Sequence, residues 1–476
     1  MYHRGQIIDL DISEYAFGGK GIAKIATEKG ILNVFVNNAF PGQKVRAQIK
    51  KKRKRFFEAK LLEILNRSSV EIETNHQEIS GAPYIFVPIE IQKEIKLKST
   101  LEEFSKLSGN KNTADYFDEW IASPLLYNYR NKMEYSFSSI EHCLLTNKDI
   151  DDSFALGFKR RGTWWKVENL NKASGLFDFE WENQLHKIRD FLRSTNLPAW
   201  HPPKKTGFFR HLVVRKSFDT NSFLINLVTS SEGLSNFDKN AFVDFVVSLF
   251  GDRVAGIQHT VNDNHADRSK IENGQCFLLF GNPIITQKIN GLNFEISMES
   301  FFQTNPCCAE RLYDKALDYV CEEKIDKEKI VLDLFCGTGT IGQLLSKRAP
   351  SLRVIGVDIV EEAIEDAKRN AKRNKLSSLE FVASDIGKFL KIKPELQGKI
   401  STIILDPPRA GIAPKTLKKV LDLEASNIVY ISCNPSTQAR DSIALIEAGY
   451  QIIKVSFVDQ FPHTGHIESI VKFKKI

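Results

Sequence analysis

The stretch Val331–Leu345, VLDLFCGTGTIGQLL, joins an apolar run to a helical pattern through three glycines. Gly337, Gly339 and Gly342 stand as G-x-G-x-x-G, after a strand and at the opening of a helix. Glycines in this position let the backbone turn sharply and approach a ligand closely. Downstream, the apolar runs LRVIGVDI, LEFVASD, STIILDPP and NIVYISC alternate with helical stretches. That alternation predicts a doubly wound α/β domain with a mostly parallel sheet. Two further runs, QIIKVSFVD and IESIVKFKK, have only a short connection and are expected to form an antiparallel hairpin.

Upstream the patterns differ. Residues 1–62 read as short strands with Gly and Pro turns, which suggests a small β-barrel. Residues 63–290 read as a central α+β unit, with a helix over Ile91–Leu107 and strand-like runs such as YRNKMEYSFS, FALGFKRRGTWWKVENL and SFLINLVTS. The Rossmann-like unit is expected over 291–476. The chain has 476 residues and a net charge of +7, too long for one ordinary core. Between Gln43 and Lys60 lie nine Lys/Arg and one Glu, with Phe56 and Phe57 beside them. Cations release counterions from phosphates and aromatic rings stack on bases, so this segment suits a nucleic acid. The seven cysteines show neither metal-ligand spacing nor a disulfide framework, and no apolar stretch is long enough to span a bilayer. A cytoplasmic monomer is the expectation.

The ligand of the glycine turn is read from carboxylates at successive strand ends. Asp358 lies 21 residues beyond Gly337, where an acidic side chain accepts hydrogen bonds from a ribose diol. Nicotinamide cofactors and S-adenosylmethionine share that feature. Asp333, four residues before the first glycine, suits the ammonium of a methionine moiety and would repel a pyrophosphate. Asp385 ends the third strand, placed for an adenine amino group. Each of these could instead be an ordinary strand-end cap, but three at the carboxyl ends of one sheet favour S-adenosylmethionine.

The fourth strand ends in LDPPRAG, from Leu405 to Gly411, with Arg409 where amine-methylating enzymes carry an aromatic ring. The fifth delivers Cys433 in SCNPSTQARD. Most unpaired cysteines are small buried hydrophobes. A thiolate is needed, however, when the methyl acceptor is an unreactive carbon such as carbon 5 of a pyrimidine. The methylated adduct must then lose a proton to a base, and FPHTGHIESIVKF offers Glu468, His463 and His466. The plain alternative for Glu468 is an exposed residue on an outer strand.

Together FFQTNP, LDLFCGTGTIG, LDPPRAG, SCNPSTQARD and FPHTGHIES resemble the RNA 5-methyluridine (uracil-5-)-methyltransferase family. The basic N-terminal segment with NAFPGQKV resembles that family's TRAM domain, an RNA-binding barrel, and so points to the 23S rRNA branch, with tRNA as the alternative substrate. The resemblance implies a nucleophile at Cys433, a base at Glu468, and S-adenosylmethionine contacts at Gln303, Phe335, Asp358 and Asp406. Asp406 would also hold the uracil edge. The chain departs from many ribosomal-branch members in having no cysteine before Cys143, so an iron–sulfur cluster is not expected, and apolar residues such as Ile85, Phe86 and Val87 should pack in its stead. Two smaller departures are Asp358, where glutamate is frequent, and Thr340, where asparagine is frequent. A non-catalytic RNA-binding factor and a nicotinamide oxidoreductase are the competing readings; Cys433 with Glu468 opposes the first, and Asp333 with LDPPRAG opposes the second.

Overall fold

In the computed structural model the described residues are all but 1, 28–29, 54, 109–112, 265–273, 324–325 and 327. Lys54, part of the basic run, lies outside them.

The N-terminal strands Ile7–Asp11, Glu14–Ala16, Lys20–Thr27, Gly30–Asn37, Lys44–Lys52 and Phe56–Asn66 form one six-stranded sheet. Its two end strands are Ile7–Asp11 and Glu14–Ala16, which are consecutive in the chain. The amide of Ser13 between them donates to Ile22 O at 2.9 Å and that of Ile12 to Gln43 O at 2.9 Å, so the sheet closes on itself. Strand alternation fills the interior with Val34, Val36, Val45, Ala47, Ile49 and Ala59.

A nine-stranded sheet runs from Lys132–Ser138 to Gln275–Gly281 and contains every strand-like run read from the sequence in this region. The helices Phe179–Ser194 and Lys239–Phe250 cover it and bury Trp181 against Phe223 and Phe250.

The C-terminal sheet has eight strands, in the order Leu379–Ala383, Arg353–Asp358, Ile330–Leu334, Ile400–Leu405, Asn427–Ser432, Glu468–Lys475, Tyr450–Val458 and Phe117–Ile121. The first five are parallel, and Glu468–Lys475 runs antiparallel between its neighbours. The strand order switches direction between the parallel neighbours Ile330–Leu334 and Ile400–Leu405, which opens a crevice at the carboxyl ends of the strands.

Two boundaries differ from the sequence reading. Phe117–Ile121, read as part of the central unit, pairs in parallel with Tyr450–Val458 and extends the C-terminal sheet. The hairpin Ile284–Ser297 straddles residue 290 and packs Ile285, Ile289 and Phe294 on the core beneath the helix Pro306–Cys321. Local patterning cannot reveal either, because strand partners are a long-range choice. The helix Ile89–Ser108 likewise packs on the helix Pro435–Glu447. Its Lys96 is buried and paired with Asp459 at 2.7 Å. Among the described residues no helix is long and apolar enough to cross a membrane.

Candidate active site

Ile330–Leu334 is buried along its whole length, as a central parallel strand should be, and that burial includes Asp333. One oxygen of Asp333, Oδ2, accepts from the Gly342 amide at 2.9 Å. The other, Oδ1, is buried with no hydrogen-bond partner among the described residues. Burial pushes the Asp333 carboxyl up to about 7; Asp406 and Asp358 add to the rise while the Gly342 amide opposes it. The turn that follows has positive φ at Phe335 (62°), Gly337 (52°) and Gly339 (71°). A bulky residue such as Phe335 takes that conformation only at a cost, which structures commonly retain at functional sites. A Cβ on Gly339 would lie 2.3 Å from the Phe381 ring, whereas one on Gly337 would meet nothing within 4 Å. The turn is thus clamped from below and open above. Asp358 ties it down, accepting from Gly337 N and from Val360 N, each at 2.9 Å. A glycine turn open to the crevice, beside a buried carboxylate oxygen without a partner, fits a ligand carrying an ammonium group.

Asp385 stands apart from this group. It is exposed and caps the helix Ile386–Ile392, accepting from Lys388 N at 3.0 Å. The strand-end cap weighed against an adenine contact is therefore what its side chain forms. Gln303 is half-buried and its side chain lies near the hydroxyl of Tyr313. Tyr313 is a residue the sequence reading missed. It is buried on the helix Pro306–Cys321, and its phenol is held far above its usual range by burial and then by Asp406 and Glu468. Its only signal in the sequence was a place on the apolar face of a helix, which is indistinguishable from packing.

The candidate reacting groups are set by strand register. Asn427–Ser432 pairs antiparallel with Glu468–Lys475, with Ser432 opposite Ser469. Continuing that register by one residue sets Cys433 across from Glu468. The turn after Ser432 is rigid. Asn434 N donates to Ser432 Oγ at 3.1 Å, and Pro435 opens the next helix. Asn434 Nδ2 donates to Arg409 O at 3.0 Å and Thr437 Oγ1 to the same oxygen at 3.3 Å, so the LDPPRAG loop is docked on the cysteine turn. Glu468 lies on an interior strand and is 4% exposed, not on the outer strand of the plain alternative.

Electrostatics bind these groups together. Burial raises the Glu468 carboxyl to about 8; Asp406 adds to this and Arg409 opposes it. Asp406, half-buried at the strand end, is raised to about 7 by desolvation. The half-buried Cys433 thiol is pushed up to about 11 by burial and by Glu468, while Arg409 counters through its charge and a hydrogen bond. Asp333, Asp406 and Glu468 therefore form an acidic recess that charges cheaply only when a cation enters.

The two histidines are placed differently. His463 is buried with φ of 66°, and its ring stacks on Tyr127 with centroids 4.7 Å apart. Gln92 bonds both its backbone N, at 2.9 Å, and its Nδ1, at 3.1 Å. Burial pushes this imidazole down to about 4, so it is neutral at physiological pH. His466 stands exposed at the rim, and desolvation followed by the charge of Arg409 lowers its pKa as well. Among the described residues no three His, Cys, Asp or Glu side chains are grouped to hold a metal ion.

Comparison with known proteins agrees with this geometry. Residues 279–476 match the family model described as tRNA (Uracil-5-)-methyltransferase. A Clostridium tetani protein described as an uncharacterized RNA methyltransferase is 36% identical over 99% of this chain and 98% of its own length. A similarly described protein of Clostridium acetobutylicum is 36% identical over 100% and 99%. Among solved structures, the tRNA (uracil-54, C5)-methyltransferase of Pyrococcus abyssi, in complex with S-adenosyl-L-homocysteine, matches with a TM-score of 0.67. It is 23% identical and covers 98% of this chain and 100% of its own, a likeness of fold. With the glycine turn, the acidic recess and the Cys433–Glu468 register already in place, these matches mean that the chain belongs to the RNA uracil-5-methyltransferase family, whose members are S-adenosylmethionine-dependent enzymes.

Proposed function

We propose that the protein methylates carbon 5 of a uridine in RNA through a covalent bond between Cys433 and the base. The observation that carries this reading is the antiparallel register that sets a half-buried thiol opposite a buried carboxyl. Gln303, Asp333, Phe335, Gly337, Gly339 and Asp358 would hold the methyl donor, with Asp406 between donor and uracil. When bound, S-adenosylmethionine supplies an electrophilic methyl group on a sulfonium, whose sulfur keeps the bond's electron pair.

The protein's own groups do the rest. Arg409 favours the thiolate of Cys433 against the burial that opposes it. Sulfur bonds to carbon 6, and the electrons of the 5,6 double bond move to carbon 5, delocalised onto the 4-oxygen. Carbon 5 then takes the methyl group. The Glu468 carboxylate removes the remaining proton from carbon 5, the double bond re-forms, and the carbon–sulfur bond breaks to return the thiolate.

Replacing Glu468 separates the two halves of this sequence. Glu468→Gln should transfer methyl once and stall, giving a denaturant-resistant protein–RNA band that carries label from the donor. Cys433→Ala should bind donor and RNA yet form neither band nor product. Turnover of Glu468→Gln at the wild-type rate, with no trapped band, would remove Glu468 as the base and turn attention to His466. The closed basic barrel favours 23S rRNA as the substrate, with tRNA second. Nucleoside mapping of both RNAs from cells with and without the protein decides between them: a 5-methyluridine lost only from tRNA would overturn the ribosomal assignment.

A further inference from the structure

Trp164 is 53% exposed, while Trp181 and Trp200 are buried at 0% and 4%. An indole costs more to leave in water than almost any other side chain. It lies in the connection 160–166 between the strands Ala155–Lys159 and Val167–Asn169. That connection is well braced. Arg160 N donates to Lys166 O at 2.9 Å and Thr163 N to Arg160 O at 3.0 Å. Ser138 Oγ donates to Trp165 O at 2.9 Å, and the Trp165 ring meets Trp164 edge-on at 5.5 Å.

The turn also leans on the barrel. Lys60 Nζ donates to Gly162 O, and a Cβ on Gly162 would sit 3.4 Å from Leu61 O. The neighbouring barrel strand ends in exposed Lys50, Lys51 and Lys52. Some cations here are matched: Arg161 pairs with Glu78, Lys166 with Asp149 and Lys51 with Glu58. Among the described residues no carboxylate forms an ion pair with Lys50, Lys52, Lys60 or Arg160. The exposed ring thus borders a strip of uncompensated positive charge that runs from the barrel onto the central sheet.

We infer that the Arg160–Lys166 turn is a contact for single-stranded RNA, with a base stacked on Trp164 and the flanking phosphates held by Lys50, Lys52, Lys60 and Arg160. A braced indole can take any base, since every base has a π-face, and the ordering cost is already met by the turn. This inference rests on the RNA reading above and adds to it where along the protein the strand runs.

The test uses the full-length protein and a single-stranded oligouridylate of about 16 nucleotides, with dissociation constants measured over a range of salt. Trp164→Ala should weaken binding about tenfold or more while the slope of log Kd against log salt stays unchanged, because no phosphate contact is lost. Trp164→Phe should bind within about threefold of wild type, since a ring remains to stack. Tryptophan emission should be quenched by RNA in the wild type and much less so in Trp164→Phe. Thermal melting of both variants should match the wild type, as the side chain is exposed. Wild-type affinity in Trp164→Ala, or equal losses in both variants, would overturn the inference. Its failure is separable from that of the enzymatic reading, because the trapped band of Glu468→Gln does not depend on Trp164.

Discussion

Cys433 and Glu468 are 35 residues apart in the chain and become neighbours only because one strand returns antiparallel beside the other. Their surroundings set an unusual balance. The three carboxyls are held at about 8 for Glu468 and about 7 for Asp333 and Asp406, well above an ordinary carboxyl near ~4. A carboxyl raised on folding contributes its full stability below its unfolded pKa and loses it as pH climbs through the folded value. The ligand-free protein should therefore lose stability between about pH 4 and pH 8 from these three groups. Gln at position 468 stays neutral throughout. Glu468→Gln is expected to melt higher than wild type by a few degrees at about pH 9 and at nearly the same temperature at about pH 4. Melting curves at the two pH values check this; equal shifts at both would mean that Glu468 does not carry its charge in the recess. A stabilised but stalled enzyme is the usual trade between stability and activity.

At the scale of elements, the segment Asp459–Ile467 leads into Glu468 and is gripped from three sides. Gln92 and Lys96 of the helix Ile89–Ser108 hold His463 and Asp459. Tyr84 N donates to His463 O at 3.0 Å. The barrel closes the grip from the third side: a Cβ on Gly465 would lie 2.5 Å from Gly19 Cα. Gly465 does not have a left-handed backbone, so alanine there offends only through this contact. Overpacking of that kind costs about 1–3 kcal/mol. Gly465→Ala is expected to bind the methyl donor as wild type does, yet to release product more slowly and build up part of the covalent band. Single-turnover experiments with labelled donor would show this; unchanged turnover would mean that the barrel does not position the base.

For the whole molecule, the cysteine-free segment around Ile79–Val87 is occupied by packing. Ile79, Ala82 and Ile85 join Tyr129 and Tyr135 in the central core. Phe86 lies beneath the Arg67 guanidinium at 4.0 Å, and Val87 packs with Phe40 and Tyr84. His76 stacks on Tyr127 at 4.8 Å, and Tyr127 in turn on His463, so three rings link this region to the segment that leads into Glu468. Protein purified without oxygen is expected to contain no stoichiometric iron or sulfide and to lack visible absorbance. Iron with matching sulfide would show that the packing is secondary to a cluster.

Much of this was legible in the sequence by itself. The glycine turn needs particular backbone angles that only certain residues tolerate, so Gly337 and Gly339 announce it locally. The barrel strands and the parallel strands are written in apolar periodicity, and Cys433 and Glu468 in ordered motifs. The tertiary structure alone decided the rest. It set Phe117–Ile121 at the edge of the C-terminal sheet, put Tyr313 among the carboxyls, turned Asp385 into a helix cap and placed Gly19 against Gly465. Pairing partners, burial and the pKa values that follow from it depend on which distant segments meet. No local pattern of residues encodes that, because the same alternation or helical stripe packs equally well against many partners.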